Sequence, residues 1–94
     1  MLTESQNQRL LQVMSRYHPT VLGYFGSHAR GEQTAHSDLD VLVDFDPPLD
    51  LITLIGLEQE LSEGLGIHVD LVTARSLHPL IRKSIEKDLI LLDA

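Results

Sequence analysis

The sequence predicts a single α/β domain, and three observations predict it. Helical and extended patterns alternate along the chain in the order α-β-turn-β-α-β-α-β. The extended stretches, "TVLGYFG", "DLDVLVDF" and "IHVDLVT", are short, rich in β-branched residues and spaced by turn formers. At 94 residues the chain has room for one compact core, residues 1–94 forming one domain.

The elements follow in order. Thr3 caps a first helix, with Gln6 three positions on completing a capping box, and Leu10, Leu11, Val13 and Met14 form its apolar stripe through Arg16. Pro19 ends that helix. The strand from Thr20 is punctuated by Gly26, Ser27 opens a short helical turn closed by Gly31, and the polar stretch to Ser37 reads as a loop. In the second strand Leu39, Val41, Val43 and Phe45 share one face. Pro47 and Pro48 stop it, and Asp50 caps a helix whose face is Leu51, Leu54, Ile55, Glu58, Leu61 and Leu65, ending near Gly64 and Gly66. After the strand Ile67–Thr73, Ser76 is the expected cap of a helix bearing Leu77, Leu80, Ile81, Ser84 and Ile85. The run "LILLDA" reads as a short strand closing the sheet, with a helix end or a partner-facing segment as the alternatives.

Composition removes several function classes. There is no cysteine, so disulfide frameworks, thiolate metal sites and cysteine nucleophiles are excluded. The N-terminus lacks the basic start and apolar core of a secretory signal, and no apolar run approaches the roughly 20 residues that span a bilayer. A cytoplasmic protein with no membrane partner is expected. The formal charge of −7 argues against stable nucleic-acid binding, because phosphate neutralisation needs clustered Lys and Arg. It permits a divalent cation among the acids or a basic protein partner.

The chemistry concentrates between Gly26 and Asp70. Residues i and i+2 of a strand point the same way, so Asp38 and Asp40 project together, away from Leu39 and Val41. Two such charges about 4 Å apart repel by roughly 4 kcal/mol at an effective dielectric near 20. A metal-free pair must hold a proton or stay well solvated, whereas a hard divalent cation such as magnesium removes the conflict. Asp70, in "HVDLV", adds a third carboxylate if its strand neighbours the second one, and three acids on two strands make a site for two ions. Any one of them alone reads more simply as a solvated strand-end residue, while "DLD" at a strand start reads equally either way. Asp44 and Asp46 read as a solvated strand end, and Asp50 and Asp93 lack a comparable placement.

Gly26 lets backbone approach a ligand closely, and Ser27 offers a hydroxyl and an amide N–H of the kind that bind phosphate at helix starts. Arg30, one turn on, can supply local positive charge, or can pair with a nearby Asp. His36 and His68 stand near enough in sequence to reach the acids, His28 reads as exposed at the mouth, and His18 and His78 precede prolines at helix boundaries. For all five a structural or surface role is the simpler reading.

Taken together, "GSHARG", "SDLDVLV" and "VDLVT" resemble the minimal nucleotidyltransferases of the DNA polymerase beta-like superfamily. The likeness spans roughly Thr20 to Ala94 and includes "LHPLIRKSI". It implies a small mixed sheet of about four strands with packed helices, and transfer of a nucleoside monophosphate from a nucleoside triphosphate. Carried onto this chain, it makes Asp38, Asp40 and Asp70 the catalytic acids and magnesium ligands, and Gly26, Ser27, Arg30 and Ser37 the nucleotide-binding residues. Such proteins often act as antitoxins of HEPN-domain toxins, adding AMP from ATP to a toxin tyrosine, so the resemblance implies a toxin partner. No additional domain of the kind that larger relatives use to cradle a base or acceptor is expected, so a partner or a second copy is expected to complete the site. An antitoxin that neutralises by binding alone is the alternative. A small metal-binding domain with no nucleotide role would leave Ser27 and Arg30 unexplained.

Overall fold

The structure is a computed structural model that describes residues 1–92. Its elements are α1 (Glu4–Ser15), β1 (Val21–Phe25), α2 (Ser27–Arg30), β2 (Leu39–Asp44), α3 (Leu51–Leu65), β3 (Val69–Thr73), a 3-10 turn (Ala74–Ser76), α4 (Pro79–Glu86) and β4 (Ile90–Leu91). The predicted order is present throughout. The strands form one mixed sheet in the order β3-β2-β1-β4, parallel only between β2 and β3.

Local chemistry explains most boundaries. The Thr3 hydroxyl accepts from Gln6 N–H at 3.1 Å while the Gln6 side chain accepts from Thr3 N–H at 3.0 Å, the reciprocal box that starts α1. Asp50 starts α3 by accepting from Thr53 N–H at 2.7 Å, and Gly66 ends it. Leu39, Val41, Val43 and Phe45 are buried with Leu22, Tyr24 and Val69, and against this face lie Leu10, Val13 and Met14 of α1 and Leu57, Leu61 and Leu65 of α3. That layer is the core, and α1 and α3 are its cover. The opposite sheet face carries Asp40, Leu42 and Asp44, and α4 with Leu89 lies over Val21 and Leu42 at its far end.

Three expectations are corrected. The cap of α4 is His78, whose ring Nδ1 accepts from Leu80 N–H at 3.2 Å, with Pro79 next; Ser76 instead closes the 3-10 turn by donating to the Thr73 carbonyl. Leu77 therefore precedes the helix. Leu51 and Ile55 do not face the core but stand exposed with Ile52 at the start of α3, because burial follows Leu57, Leu61 and Leu65. Asp44 is buried rather than solvated: it accepts from Arg75 Nε at 2.8 Å, from Arg75 N–H at 3.1 Å and from Phe45 N–H at 2.8 Å. Asp46 is exposed. The closing strand is present as Ile90–Leu91, while Asp93 and Ala94 lie outside the described residues.

Candidate active site

Strand register builds the site. The parallel β2–β3 pair sets Leu39 opposite Val69 and Asp40 opposite Asp70, and the antiparallel β1–β2 pair sets Phe25 opposite Asp40. The last residue of β1 and the first residues of β2 and β3 therefore meet at one end of the sheet. Asp38, just before β2, shares the face of Asp40 by the period of two. Its backbone is held from both sides: His28 Nδ1 donates to the Asp38 carbonyl at 3.2 Å, and Leu39 N–H donates to the His68 carbonyl at 2.9 Å.

The turn after β1 lies against the same acids. Gly26 has φ 75° and ψ −152°, a conformation essentially restricted to glycine. A Cβ on it would stand 2.5 Å from Asp40 Oδ2, so the carboxylate occupies the space that any other residue would fill. Ser27 follows as the first residue of α2, where an amide N–H has no partner within the helix. Arg30 ends α2 and its guanidinium donates to Asp88 at 2.8 Å and to Glu32 at 3.2 Å. The Ser37 hydroxyl accepts from Thr34 N–H at 2.9 Å, closing the loop that leads to Asp38.

Electrostatics at this end are strained. Burial, then the neighbouring charges of Asp70 and Asp38, hold the Asp40 carboxyl above the ordinary carboxylate range, with His28 and Arg30 opposing them. Asp38 and Asp70 stay more open, and between them stands His68, whose Nδ1 is 3.4 Å from Asp38 Oδ1 and 3.7 Å from Asp70 Oδ1. Among the described residues, Asp38, His68 and Asp70 offer ligand atoms all within 4.8 Å of one another.

The model of the nucleotidyltransferase domain matches residues 8–92. The chain belongs to that family. A Methanocaldococcus jannaschii protein named "Putative protein adenylyltransferase" is 48% identical to this nucleotidyltransferase over 80 residues, covering 84% of the chain and 82% of the relative. The protein adenylyltransferase MntA of Thermococcus cleftensis is 38% identical over 79 residues, covering 84% and 80%. A solved structure described as a toxin-antitoxin with AMP-PNP superposes with a TM-score of 0.83 at 26% identity, over 95% of this chain and 73% of that one.

The donor set of the nucleotidyltransferase fits a divalent cation. Asp38 and Asp70 are solvent-facing at side-chain exposures of 52% and 43%, so an ion can enter with part of its water shell. Asp40 is the most crowded of the three and has most to gain from a positive charge. Two histidines carry more than sequence reasoning assigned them. His28 is buried, not exposed at the mouth, and braces the Asp38 backbone; only the turn geometry after Gly26 aims it there. His68 stands beside two of the acids, a placement its position two residues before Asp70 signals. His36 is exposed, its N–H donating to Thr34 Oγ1 at 3.3 Å.

Proposed function

We propose that this nucleotidyltransferase transfers AMP from ATP, with magnesium, to a hydroxyl of a protein acceptor, a tyrosine of a cognate HEPN-domain toxin, and so acts as its antitoxin. The observation that carries the reading is the meeting of Asp38, Asp40 and Asp70 with the Gly26–Ser27 turn at one sheet end. The naming of a relative as a protein adenylyltransferase and of a neighbour as a toxin-antitoxin with AMP-PNP supports the acceptor and nucleotide class.

In this reading Asp38, Asp40 and Asp70 hold one or two divalent ions. A cation held there would supply positive charge to the triphosphate oxygens and to the departing pyrophosphate. The Ser27 hydroxyl and N–H bind phosphate oxygens, and Gly26 keeps the backbone close enough for them to do so. Arg30 adds positive charge on the same side while Asp88 and Glu32 orient its guanidinium. Asp70 accepts the proton of the acceptor hydroxyl, whose oxygen forms a bond to the α-phosphorus. The bond from that phosphorus to the β-phosphate bridging oxygen breaks, and pyrophosphate leaves with the electron pair.

A second reading, neutralisation by complex formation alone, is favoured by the exposed apolar start of α3, where Leu51 and Ile52 are 71% and 83% exposed. One experiment separates them. Purified protein is offered magnesium and ATP labelled at the α-phosphate, with and without the product of the neighbouring gene. Label on the partner supports transfer. Loss of neutralisation in the Asp38→Asn, Asp40→Asn double variant, with the complex intact, distinguishes catalysis from occupancy. In a parallel sample with ATP labelled at the γ-phosphate, label reaching the partner from that position only makes the chemistry kinase-like and overturns the proposal.

A further inference from the structure

Four side chains at or just before the starts of β2 and β3 lie at one sheet end, and three of them are the acids. The fourth is His68. Its carbonyl accepts the Leu39 N–H, which sets it beside Asp38 one step outside the Leu39–Val69 pair, as Asp70 stands opposite Asp40 one step inside it. "HVD" leading into β3 thus mirrors "DLD" leading into β2, each placing two polar side chains on one face. The ring is turned so that Nδ1, rather than Nε2, approaches both Asp38 Oδ1 and Asp70 Oδ1.

These separations resemble a ligand set. Ligand atoms bonded at about 2.1 Å to one ion lie about 3.0 Å apart when adjacent and about 4.2 Å apart when opposite. The observed 3.4 Å and 3.7 Å, within a group spanning no more than 4.8 Å, need shifts of under about 1 Å at exposed side chains. His68 has the freedom to make them, its side chain being 61% exposed. Donor chemistry then discriminates among ions: magnesium takes oxygen ligands, whereas imidazole nitrogen favours the first-row transition dications.

We infer that His68 is a nitrogen ligand of the cation site beside Asp38 and Asp70, and that the site therefore holds Mn2+ or Co2+ more tightly than Mg2+. The inference rests on the cation site of the proposed function but is tested without nucleotide or acceptor. Mn2+ is titrated into the metal-free full chain and followed by electron paramagnetic resonance, with Mg2+ measured by competition, in the natural protein and in His68→Ala and His68→Gln.

The natural protein is expected to bind Mn2+ about tenfold or more tighter than Mg2+, with nitrogen-14 coupling to the bound ion in the spin-echo modulation. In both variants the coupling disappears and Mn2+ affinity falls about tenfold, while Mg2+ affinity changes by less than about twofold. Absence of nitrogen coupling in the natural protein overturns the inference, as does equal weakening of Mn2+ and Mg2+ or persistence of the coupling in the variants. Label transfer in saturating Mg2+ is scored separately. Transfer without nitrogen coupling sinks this inference alone, and coupling without transfer sinks the proposed function alone.

Discussion

Asp40 and Asp70 are direct cross-strand partners in the parallel β2–β3 pair, so two carboxylates face each other across a single strand spacing of about 4.8 Å. Asp38 adds a third charge from the same strand face. Folding brings these groups together, and the cost of doing so falls mainly on Asp40, which is the most enclosed.

Asp40→Asn is therefore expected to raise the thermal midpoint of the metal-free protein at neutral pH. The folded-state pKa of Asp40 lies above its unfolded value, so the stability it contributes is full below the unfolded pKa and is lost as pH rises through the folded one. Melting curves in chelator should show the variant more stable at pH 7 and equal to the natural protein in acid. The same substitution should lower AMP transfer by about 10²- to 10³-fold, the scale of losing one electrostatic stabiliser. A variant less stable than the natural protein at pH 7 would refute the crowding of this carboxylate.

Gly26→Ala and Gly31→Ala should part company. Both glycines have positive φ, 75° and 72°, but a Cβ at Gly26 meets Asp40 Oδ2 whereas one at Gly31 meets nothing within 4 Å. Each substitution should destabilise by about 1–3 kcal/mol through backbone strain. Only Gly26→Ala should also lower transfer and metal affinity, because it displaces a site carboxylate. Matched activity losses in the two variants would place the effect in the backbone alone.

Arg75→Ala tests a contact remote from the chemistry. Asp44 lies four residues along β2 from Asp40, about 13 Å away. Burial alone would raise its pKa, but the Phe45 N–H and Arg75 outweigh burial and hold the carboxyl below its ordinary range. The stability so gained is present above the unfolded pKa and lost as pH falls through the folded one. Removing Arg75 should cost about 1–3 kcal/mol at pH 7, less in strong acid, with transfer unchanged at a temperature where the variant is folded. Denaturant melts at several pH values measure it; a pH-independent loss would contradict the pairing.

Glu58 secures the outer edge of β3. Its Oε2 accepts from Leu71 N–H at 2.8 Å, and the Ser62 hydroxyl accepts from Val69 N–H at 2.9 Å, so α3 side chains take up the outward-facing amides on either side of Asp70. Glu58→Ala should destabilise by about 1–2 kcal/mol and speed amide exchange at Leu71, while Glu58→Gln, which keeps an acceptor, should restore most of both. Unchanged exchange at Leu71 in the Ala variant would count against this edge contact.

Much of this protein was legible in its residues. Period-two patterning named the core face of β2, the capping box began α1, and "GSHARG" with "SDLDVLV" and "VDLVT" pointed to the family, because same-face placement within a strand and turn chemistry after it are local properties. Apart from the local cap of α4, the errors fell where a remote partner decided the outcome. Asp44 reads as solvated until Arg75, 31 positions later, covers it. The ring of His28 reads as exposed until the Asp38 carbonyl accepts its hydrogen bond. Leu51 and Ile55 match a helical stripe as well as Leu57 does, and only the direction from which the sheet approaches selects the buried side.

Sequence alone determined which residues could share a face, since that depends on the repeat of the backbone they sit on. Which faces meet was decided by the tertiary structure, through the parallel register that brings Asp70 to Asp40 and His68 to Asp38. Register is a choice among many possible strand pairings, made by the packing of the whole core, and no short stretch of chain contains it.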